Sequence, residues 1–528
     1  MRPAFRKHEG DVNELVGYQR VRCHMIFDVK LGENFRRKAR LVGGGHTTAT
    51  PSLITYSSVV SRDSVRILLT MAALNDFDVL ACDIQNAYLT AKCREIYTIA
   101  GPKFGSEEGY IMIVEMALYG LKSSGAAFCS KLASILYDMN YRASLANPDV
   151  WKRKAAKPSG ERYHKYVLCY VDDILVLLHH PIRSMDGIRD MFKLKGDRAE
   201  KSDMYLGAQV TEVQTDNGTK CWSLSSEKYL KASVNNVEAT LRINNSKLPS
   251  NCPAPCTAGY HLAEDTSKEL NADGTRLFQE LIGVLRWAME IGRLDILLEV
   301  SLLSSHLAMP RAGHLQEVYH IFGYQKQSPR RRLFLDPDHP VISEDRFKKF
   351  DWEDFYRGAK EEIPANIPDP LGKAVPTHCF VDASYASDKV TRKSQTGILI
   401  FVNCAPTMWH SKRQNSVEVS TFGSEFIALK NAIELVMGLR YKIRMFGIPL
   451  EGPSNIFCNN EAVYKNVSQP DSTLNKKQHS IACHFCREKE ASGTCRLAKE
   501  NTKSNSANVF TKTMNKPKRE ELLGRFIY

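Results

Sequence analysis

The chain has 528 residues, several times the length of a typical domain, which predicts at least three folding units and excludes one compact body. Hydrophobic residues at 43% and charged residues at 25% exclude wholesale disorder and a fibrous chain. The 72 Lys and Arg residues outnumber the 59 Asp and Glu residues. The net charge of +13 favours a polyanionic partner such as nucleic acid, although many soluble proteins carry such a surplus for solubility alone.

The 14 cysteines are scattered through apolar segments, without the paired spacing of a disulfide framework or a zinc site, which predicts a reducing, intracellular compartment. The cluster Cys483-His484-Phe485-Cys486 lacks a second ligand pair at zinc-site spacing, so packing is favoured over metal binding. The N-terminus has no apolar signal-peptide core, and no run of about 18 apolar residues occurs, so membrane insertion is not expected.

The first segment with a chemical pattern is a predicted strand in which Arg36, Lys38 and Arg40 share one face, followed by three glycines at 43–45. A row of cations beside a flexible glycine turn suits phosphate binding. Lysine and arginine also protect solvated edge strands from aggregation, so the pattern alone supports both interpretations equally.

Two acidic strand ends follow in the first half of the chain. A predicted helix over 61–75 leads into a strand over 76–80, and Asp83 lies at the end of that strand. After a second predicted helix over about 126–139, apolar runs at 166–171 and 174–178 flank Asp172 and Asp173, which predicts a hairpin with an acidic tight turn. Adjacent carboxylates at a hairpin tip repel each other, a cost that is seldom carried unless cations neutralise them.

The second half of the chain is predicted to change from helices to strands and helices. Residues 270–325 have a mainly helical pattern, and 329–376, with repeated prolines and mixed charge, are typical of a connector. Beyond the connector, a predicted strand over 377–381 ends at Asp382, a second covers 397–402, and a long helix over 424–446 stops at Gly447.

Asp83 and the Asp172-Asp173 pair suit the chemistry of joining nucleotides. That reaction uses two divalent cations about 4 Å apart, one to activate the attacking hydroxyl and one to hold the leaving phosphates. Carboxylates at strand ends can supply the ligands for both ions, and these three would converge if their strands pair in one sheet.

The motifs around these carboxylates resemble those of one family. Tyr170-Val171-Asp172-Asp173 matches the YxDD box of reverse transcriptases, and D-I-Q-N-A-Y at 83–88 resembles their first aspartate motif. L-Y-G-L-K-S at 118–123 is similar to the LYGLK motif of the copia group, and K-A-R-L-V at 38–42 resembles its KARLV fingers strand. With the segment from Thr377 onward, the chain resembles the reverse transcriptase and ribonuclease H region of a copia-type (Pseudoviridae-like) LTR retrotransposon polyprotein.

The resemblance implies a role for each matching residue. Asp83 and Asp172 would be the principal ligands of Mg²⁺ or Mn²⁺, with Asp173 as the supporting carboxylate. Tyr88 would lie beneath the incoming sugar and block a 2′-hydroxyl, although an aromatic residue here could also simply cap its strand. The other nucleotide-binding residues that the match implies are Lys38, Arg40, Gly120, Lys122, Ser123 and Tyr170.

The segment from Thr377 resembles the ribonuclease H domain of the same family, which holds two divalent ions with four carboxylates. Asp382 and Glu425 match the first two carboxylates, whereas Asn459 and Asn508 stand where the family has aspartates. Asparagine keeps an oxygen but no charge, and hard cations depend strongly on ligand charge. The resemblance therefore implies a ribonuclease H remnant that does not cleave.

The implied fold class is α+β: a right-hand polymerase (fingers, palm, thumb) followed by an α/β ribonuclease H-like domain. Fingers and palm would occupy 1–240, a helical thumb and connector 241–376, and the ribonuclease H-like domain 377–528. The implied partners are an RNA or DNA template, a primer and dNTPs. The implied setting is intracellular, in a cytoplasmic virus-like particle and also in the nucleus. His479 and His484 lie where the family has basic residues near its ribonuclease H site, but packed or surface roles are expected for both.

Two rival functions stay open on the sequence alone. A decayed or co-opted element product that binds nucleic acid without catalysis is supported by the two asparagines and opposed by the three retained polymerase carboxylates. A DNA-templated polymerase is opposed by the LYGLK match and by the ribonuclease H-like segment. Because no protease, zinc-knuckle or integrase motif is found, the sequence is expected to be the C-terminal part of a longer polyprotein.

Overall fold

The computed structural model describes residues 4–30, 36–49, 55–93, 95–180, 188–194, 204–474 and 477–527. Its helices are α1 Arg62–Leu74, α2 Ser124–Asp138, α3 Glu227–Ile243, α4 Ala272–Ile291, α5 Leu297–Ser304, α6 Ala312–Gln327, α7 Glu353–Tyr356, α8 Thr421–Met445, α9 Glu461–Ser468, α10 Ser480–Ala491 and α11 Lys516–Leu523. Its strands are β1 Phe5–Lys7, β2 Gln19–Arg20, β3 Cys23–Lys30, β4 Arg36–Gly43, β5 Asp78–Asp83, β6 Ile96–Ile99, β7 Ile111–Val114, β8 Arg142–Ala143, β9 Val150–Ala156, β10 Arg162–Tyr170, β11 Asp173–Leu178, β12 Met204–Tyr205, β13 Ala208–Gln214, β14 Lys220–Ser225, β15 Arg332–Leu335, β16 Thr377–Ser384, β17 Gln395–Val402, β18 Ala405–Arg413, β19 Ser454–Cys458 and β20 Cys495–Lys499.

The chain divides into two compact units, each discontinuous in sequence. The first comprises the described residues of 1–60, 78–155 and 165–202, and the second those of 61–77, 156–164 and 203–528. These units are defined by compactness, whereas the three domains expected above are defined by the family resemblance. The boundaries of those three domains remain a prediction.

The first unit contains three sheets. One has the order β1-β7-β6-β2, a second consists of β3 and β4, and the largest has the order β5-β11-β10-β9-β8. A cluster of buried residues, including Phe5, Val21 and Met112, forms the core beside the first sheet. The largest sheet contains both acidic strand ends that the sequence singled out.

The predicted acidic hairpin is present. β10 and β11 pair antiparallel from Tyr166–Leu177 to Tyr170–Asp173, and β11 also pairs antiparallel with β5 along its whole length. β5 and β11 bury side chains at successive positions rather than at alternate ones, because both faces of this part of the sheet are covered.

The strand before Asp83 differs from the predicted range of 76–80. It begins at Asp78 and continues to Asp83, because Asp76 has φ of +56° and ends the turn that follows α1. The prediction of a helix over 61–75 is confirmed by α1, and that of a helix over 126–139 by α2.

The glycines at 43–45 bring β4 into direct backbone contact with the segment 118–123. The Gly43 amide donates to the Tyr119 carbonyl at 2.8 Å, and the Gly45 amide donates to the Gly120 carbonyl at 3.2 Å. A Cβ atom on Gly45 would lie 2.3 Å from the Gly120 oxygen, and Gly120 itself has φ of +87°. These positions therefore require glycine for close packing between two motifs, a role that the sequence pattern did not predict.

The second unit contains α1, two sheets and the helices from α3 to α11. The predicted helical region is confirmed as α4, α5 and α6, which with α3 enclose a core that includes Phe278, Leu285 and Phe322. A sheet of order β12-β13-β14-β15 takes its last strand from the predicted connector, so that connector begins as part of a sheet.

The other sheet of this unit has the order β18-β17-β16-β19-β20. β16 pairs antiparallel with β17 and parallel with β19, and α8 runs between β18 and β19 in the chain. The predicted strand at 377–381 extends through Asp382 to Ser384, and the predicted long helix is α8, followed by Gly447 at φ of +75°.

The predicted α+β class, a polymerase region followed by a ribonuclease H-like domain, is confirmed by these mixed helices and sheets. None of the described helices combines the length and the apolar composition needed to cross a bilayer.

Candidate active site

The acidic residues Asp83 and Asp173 lie opposite each other on neighbouring strands. Their Cα atoms are register partners in the antiparallel pair of β5 and β11. Opposed residues of such a pair point to the same face of a sheet, with Cβ atoms about 5 Å apart. The fold therefore brings together two carboxylates that are far apart in the sequence.

Asp172 occupies the two-residue turn before Asp173, together with Val171. Val171 has φ of +55°, a conformation that β-branched residues rarely adopt. The Asp172 carbonyl accepts a hydrogen bond from the Ile84 amide at 2.9 Å, so the turn is tied to the chain just after Asp83. Backbone strain that its surroundings hold in place is found most often at functional sites.

The pKa of the Cys82 thiol reflects the negative electrostatic potential at this end of the sheet. The Cys82 pKa is raised to about 12, first by burial and then by the Asp83 and Asp173 carboxylates. The same potential would attract divalent cations.

Two tyrosines and one arginine stand on the Asp172 side of the carboxylates. The Tyr88 and Tyr119 rings lie 4.8 Å apart between centroids, and the Arg40 guanidinium lies 5.5 Å from the Tyr119 centroid. Burial raises the pKa of Tyr119 most, Asp172 and Asp83 raise it further, and Arg40 lowers it. The pKa of Tyr88 is likewise raised by burial and then by Asp172. The predicted residues Tyr88 and Arg40 thus share one neighbourhood with two of the carboxylates.

The remaining predicted nucleotide-binding residues are placed less directly. The Lys122 ammonium donates to the Thr48 carbonyl at 2.6 Å, Ser123 is the N-cap residue of α2, and Tyr170 ends β10 opposite Asp173. Lys38 lies in β4, but its side chain falls outside the part that the structure describes. Their roles stay predictions.

The donor set of this site fits hard divalent cations, because all three side chains are carboxylates at one end of one sheet. Among the described residues, no three or more His, Cys, Asp or Glu side chains are already gathered closely enough to hold a metal ion. The structure thus places the three carboxylates at one end of one sheet without a closed coordination shell.

The four positions of the predicted ribonuclease H remnant also come together, around Asp382 on the central strand β16. Asp382 is fully buried, and Val381 is the register partner of Cys458, so Asn459 follows β19 directly beside it. The Asn459 amide donates to Asp382 Oδ1 at 2.8 Å, and the Thr511 hydroxyl donates to Oδ2.

A lysine completes the surroundings of that carboxylate. The Lys512 ammonium lies 3.2 Å from Asp382 Oδ2 and 3.4 Å from the Asn508 side-chain oxygen. The Asn508 amide donates to the Thr502 carbonyl. Asp382 is therefore neutralised by a cation of the chain itself.

Glu425 lies on α8, close to this group. Its pKa is raised to about 8, first by burial and then by the Asp382 carboxylate, while Lys512 lowers it. The two carboxylates therefore lie close enough to repel each other, and only Lys512 among the named neighbours offsets that repulsion. Two amides and one lysine thus stand beside the two carboxylates, whereas a pair of divalent ions calls for several charged oxygen ligands.

The two histidines near this domain have ordinary packing and surface contacts. His479 is buried, with Nε2 3.2 Å from Glu418 Oε2, and the exposed His484 has its Nδ1 2.7 Å from the Tyr356 hydroxyl. Cys483 and Cys486 are buried on α10.

Three residues with central positions were not assigned by the sequence: Tyr119, Thr511 and Lys512. Tyr119 is the second residue of the LYGLK string, and Thr511 and Lys512 come three and four residues after Asn508. Their closeness to residues that the sequence did assign was the available signal.

The family model for reverse transcriptase (RNA-dependent DNA polymerase) matches residues 16–250. The chain is 25% identical over 511 residues to the retrovirus-related Pol polyprotein from transposon RE1 of Arabidopsis thaliana, covering 94% of this chain and 31% of the relative. It is 24% identical over 531 residues to that from transposon TNT 1-94 of Nicotiana tabacum, covering 96% and 36%.

A more distant relative is the transposon Ty1-BL Gag-Pol polyprotein of Saccharomyces cerevisiae, 22% identical over 478 residues, covering 87% of this chain and 24% of the relative. A solved structure of the foamy viral protease-reverse transcriptase dRH in complex with double-stranded DNA has a TM-score of 0.49 and 11% identity, covering 95% of this chain and 67% of that one. The chain spans about a third of the length of the two plant relatives. Residues 16–250 thus match the reverse transcriptase family model, and most of the chain is similar to the Pol polyproteins of these transposons.

Proposed function

We propose that the chain is an RNA-directed DNA polymerase that adds dNTPs to a primer by two-metal catalysis. The observation that carries this proposal is the pairing of Asp83 with Asp173, with Asp172 in the adjoining turn. The match of 16–250 to the reverse transcriptase family supports it independently. An intracellular setting and nucleic acid partners belong to the same proposal.

In this proposal, Asp83 and Asp172 hold Mg²⁺ or Mn²⁺, and Asp173 supports them. The bound ions would activate the primer hydroxyl and stabilise the leaving pyrophosphate. Tyr88 and Tyr119 form an aromatic wall beside the carboxylates, where the sugar of the incoming nucleotide would lie. Arg40, beside Tyr119, provides a cation for the triphosphate.

We expect the purified protein to extend a DNA primer on an RNA template when Mg²⁺ is present, and Asp172→Asn to abolish extension. The amide removes one of the charges that the metals need, and losses at such residues typically reach several orders of magnitude in rate. A gel-based primer-extension assay measures this result, with RNA and DNA templates run in parallel.

The matched control is Asp138→Asn, which changes an exposed aspartate at the end of α2 in the same unit. Its extension rate should equal that of the unmodified protein. Undiminished synthesis by Asp172→Asn would place the active site elsewhere, whereas no synthesis by the unmodified protein would favour the non-catalytic alternative.

We further propose that the ribonuclease H-like domain has lost cleavage. Asn459 donates a hydrogen bond to Asp382, and Lys512 supplies a positive charge where cations would have to bind. At an effective dielectric constant near 20, a unit charge about 4 Å away contributes about 4 kcal/mol, so two lost carboxylates have a large effect on cation binding.

A further inference from the structure

The hairpin of β3 and β4, in the first unit, carries an exposed aromatic ring on the face opposite to that of Arg40. Arg40 is the register partner of Ile26 and Phe27 is that of Ala39, so Arg40 and Phe27 project from opposite faces of this two-stranded sheet. Arg40 lies beside Tyr119 near the polymerase carboxylates, whereas Phe27 is 72% exposed. The surface around Phe27 is therefore distinct from the site of synthesis.

A lysine from a neighbouring loop lies beside this ring. The Lys103 ammonium is 4.9 Å from the centroid of the Phe27 ring. Lys103 belongs to the loop 100–110 between β6 and β7, and the Ala100 amide closes this loop by donating to the Tyr110 carbonyl at 2.9 Å. Lys103 and Tyr110 are thus held on one closed element.

The next residue of the loop connects this pair to a second one. The Phe104 ring packs edge-on against the Phe5 ring of β1, with centroids 5.2 Å apart. Lys7 follows Phe5 by two positions on the same face of β1, about 7 Å further along the strand. The Lys7 ammonium lies 3.4 Å from the centroid of the Tyr110 ring, which belongs to a residue 45% exposed. These contacts form a continuous outer row of Phe27, Lys103, Lys7 and Tyr110.

The two lysines of the outer row are not neutralised by acidic side chains. In the part of the chain that the structure describes, neither Lys7 nor Lys103 forms an ion pair with a carboxylate. Arg37 adds an exposed cation on the hairpin face that carries Phe27. The loop also carries Glu107 and Glu108, so three cations stand against two carboxylates. This surplus favours an anionic partner.

Exposed rings that flank free cations are typical of surfaces that bind single-stranded nucleic acid, because bases stack on the rings while the cations attract the phosphates. We propose that the outer row is a second nucleic-acid surface, which binds an unpaired strand outside the site of synthesis. Phe27 and Tyr110 each stack one base, and Lys103 and Lys7 hold the phosphates between them. A paired duplex does not suit the row, because its bases are stacked on each other and cannot reach the rings.

The first test asks whether a single strand binds outside the site of synthesis. Fluorescence anisotropy on the full chain follows a labelled single-stranded RNA of about 12 nucleotides, a length within the site sizes of such surfaces. An unlabelled, blunt-ended RNA–DNA duplex is then added in excess to occupy the site of synthesis. We expect the single strand to stay bound. Its complete displacement by the duplex would place it in the site of synthesis and overturn the proposal.

Aromatic variants connect this binding to the outer row. Phe27→Ala and Tyr110→Ala should each weaken the affinity for the single strand about tenfold, because each removes the ring on which a base stacks. Phe27→Trp and Tyr110→Phe keep a ring and should retain the affinity. The matched control is Tyr137→Ala, at a residue 56% exposed whose ring lies 3.8 Å from the Arg142 guanidinium. That pair is of the same kind but lies outside the row, so its loss should leave binding unchanged.

Lysine variants test the contact with phosphates. Lys7→Gln and Lys103→Gln should each weaken binding several-fold and should each reduce the slope of log affinity against log salt concentration by about 0.7, the value for one phosphate contact on a single strand. Arg142→Gln is the control and should change neither quantity. Side chains that only stabilised the fold would leave the salt slope as it is.

Primer extension is followed on the same preparations, since the proposal does not depend on the polymerase carboxylates. An unmodified protein that binds the single strand but extends no primer would count against the proposed function alone. The outer row is wrong as a binding surface if no single strand binds, or if Phe27→Ala and Tyr110→Ala leave its affinity unchanged, even where extension is normal.

Discussion

At the scale of single residues, Tyr88 has the most specific predicted role. Its ring lies 4.8 Å from that of Tyr119 and 6.3 Å from that of Phe128, and its hydroxyl pKa responds to Asp172. Tyr88 follows Asp83, the last residue of β5, by five positions, so a residue that caps this strand would lie near the same carboxylates. This placement is compatible with contact to the incoming sugar.

We expect Tyr88→Ala to raise the ratio of rNTP to dNTP incorporation by about tenfold or more, because removal of the ring opens space for a 2′-hydroxyl. Tyr88→Phe, which keeps the ring, should retain the original ratio. Single-nucleotide incorporation with matched rNTP and dNTP pairs measures the effect. If the ratio of rNTP to dNTP incorporation is unchanged in Tyr88→Ala, Tyr88 has a packing role only.

The residues at this site differ in how far the sequence could predict them. Asp83 and Asp172 were predictable because acidic residues that end apolar strands are conspicuous against their surroundings. The contact of Arg40 with Tyr119 was not predictable, because it depends on β4 lying against the segment 118–123. The glycines at 43–45 make this approach possible. Spacing in a sequence carries no information about such an approach.

At the scale of elements, the ribonuclease H-like group depends on the ends of β16 and β19 and on the segment that holds Asn508 and Lys512. The Asn505 amide donates to the Val381 carbonyl at 2.8 Å, which ties that segment to β16. A Cβ atom on Gly397 would lie 2.7 Å from the Ala507 oxygen, so the segment also lies directly on β17. The scaffold of the site is thus intact although its ligand charges are reduced.

We expect the unmodified protein to leave the RNA strand of an RNA–DNA hybrid uncut, and Asn459→Asp combined with Asn508→Asp to restore cleavage. The double change returns two negative charges beside Asp382 and Glu425 and removes the amide that donates to Asp382. Each single change should recover only part of the activity, because such residues act as a unit.

A labelled hybrid followed on a denaturing gel, with Mg²⁺ or Mn²⁺, measures this cleavage. Asp382→Asn in the restored background is the control, and it should abolish the recovered activity. If the unmodified protein cuts the RNA strand and Glu425→Gln stops this cleavage, the proposed loss of activity at this site is wrong.

A second element-scale feature is a clamp between the connector and α8. Glu361 accepts hydrogen bonds from both Arg440 and Arg444, at 2.6 to 2.7 Å. Burial opposes ionisation of Glu361, but the two arginines outweigh it and lower its pKa to about 2. Arg440 is only 3% exposed, so loss of the carboxylate would leave a buried guanidinium without its counter-charge.

We expect Glu361→Gln to lower the free energy of unfolding by about 2 kcal/mol at neutral pH. Because the folded pKa lies below the unfolded value of about 4.3, this stabilisation is complete above that value and is lost as the pH falls toward about 2. Urea titrations at several pH values measure it. Glu362→Gln, at the exposed neighbouring residue, is the control. If the difference in unfolding free energy between Glu361→Gln and Glu362→Gln is as large at acidic pH as at neutral pH, the clamp is contradicted.

At the scale of the whole molecule, the second unit joins parts of the chain that the sequence assigned to different domains. Arg66 on α1, from the polymerase region, is buried, with its guanidinium 3.9 Å from the Trp409 ring and a 2.7 Å hydrogen bond to the Thr407 carbonyl of β18. Periodicity predicted α1 itself, because that pattern is local. Its partners could not be predicted, because they depend on contacts between residues more than 300 positions apart.

The C-terminal helix α11 belongs to the same network. Arg519 is 2% exposed and donates to Glu299 Oε1 at 2.7 Å and to the Asp295 carbonyl, and the Phe334 amide donates to the Phe526 carbonyl at 3.0 Å. The pKa of Glu299 is raised above its ordinary value, because burial raises it more than Arg519 lowers it. The ribonuclease H-like segment is therefore packed into the helical region that precedes it.

This network predicts that Arg519→Met costs about 3–5 kcal/mol in the free energy of unfolding, because Glu299 would stay buried without its cation. Arg519→Met combined with Glu299→Met should cost clearly less than the single change, since no unpaired charge remains in the apolar surroundings. Denaturant titration followed by tryptophan fluorescence compares the two, and Lys516→Met, on an exposed face of α11, serves as the control. Equal losses in the single and double variants would mean that the pair contributes through packing alone, and that α11 is not held to the helical region by charge.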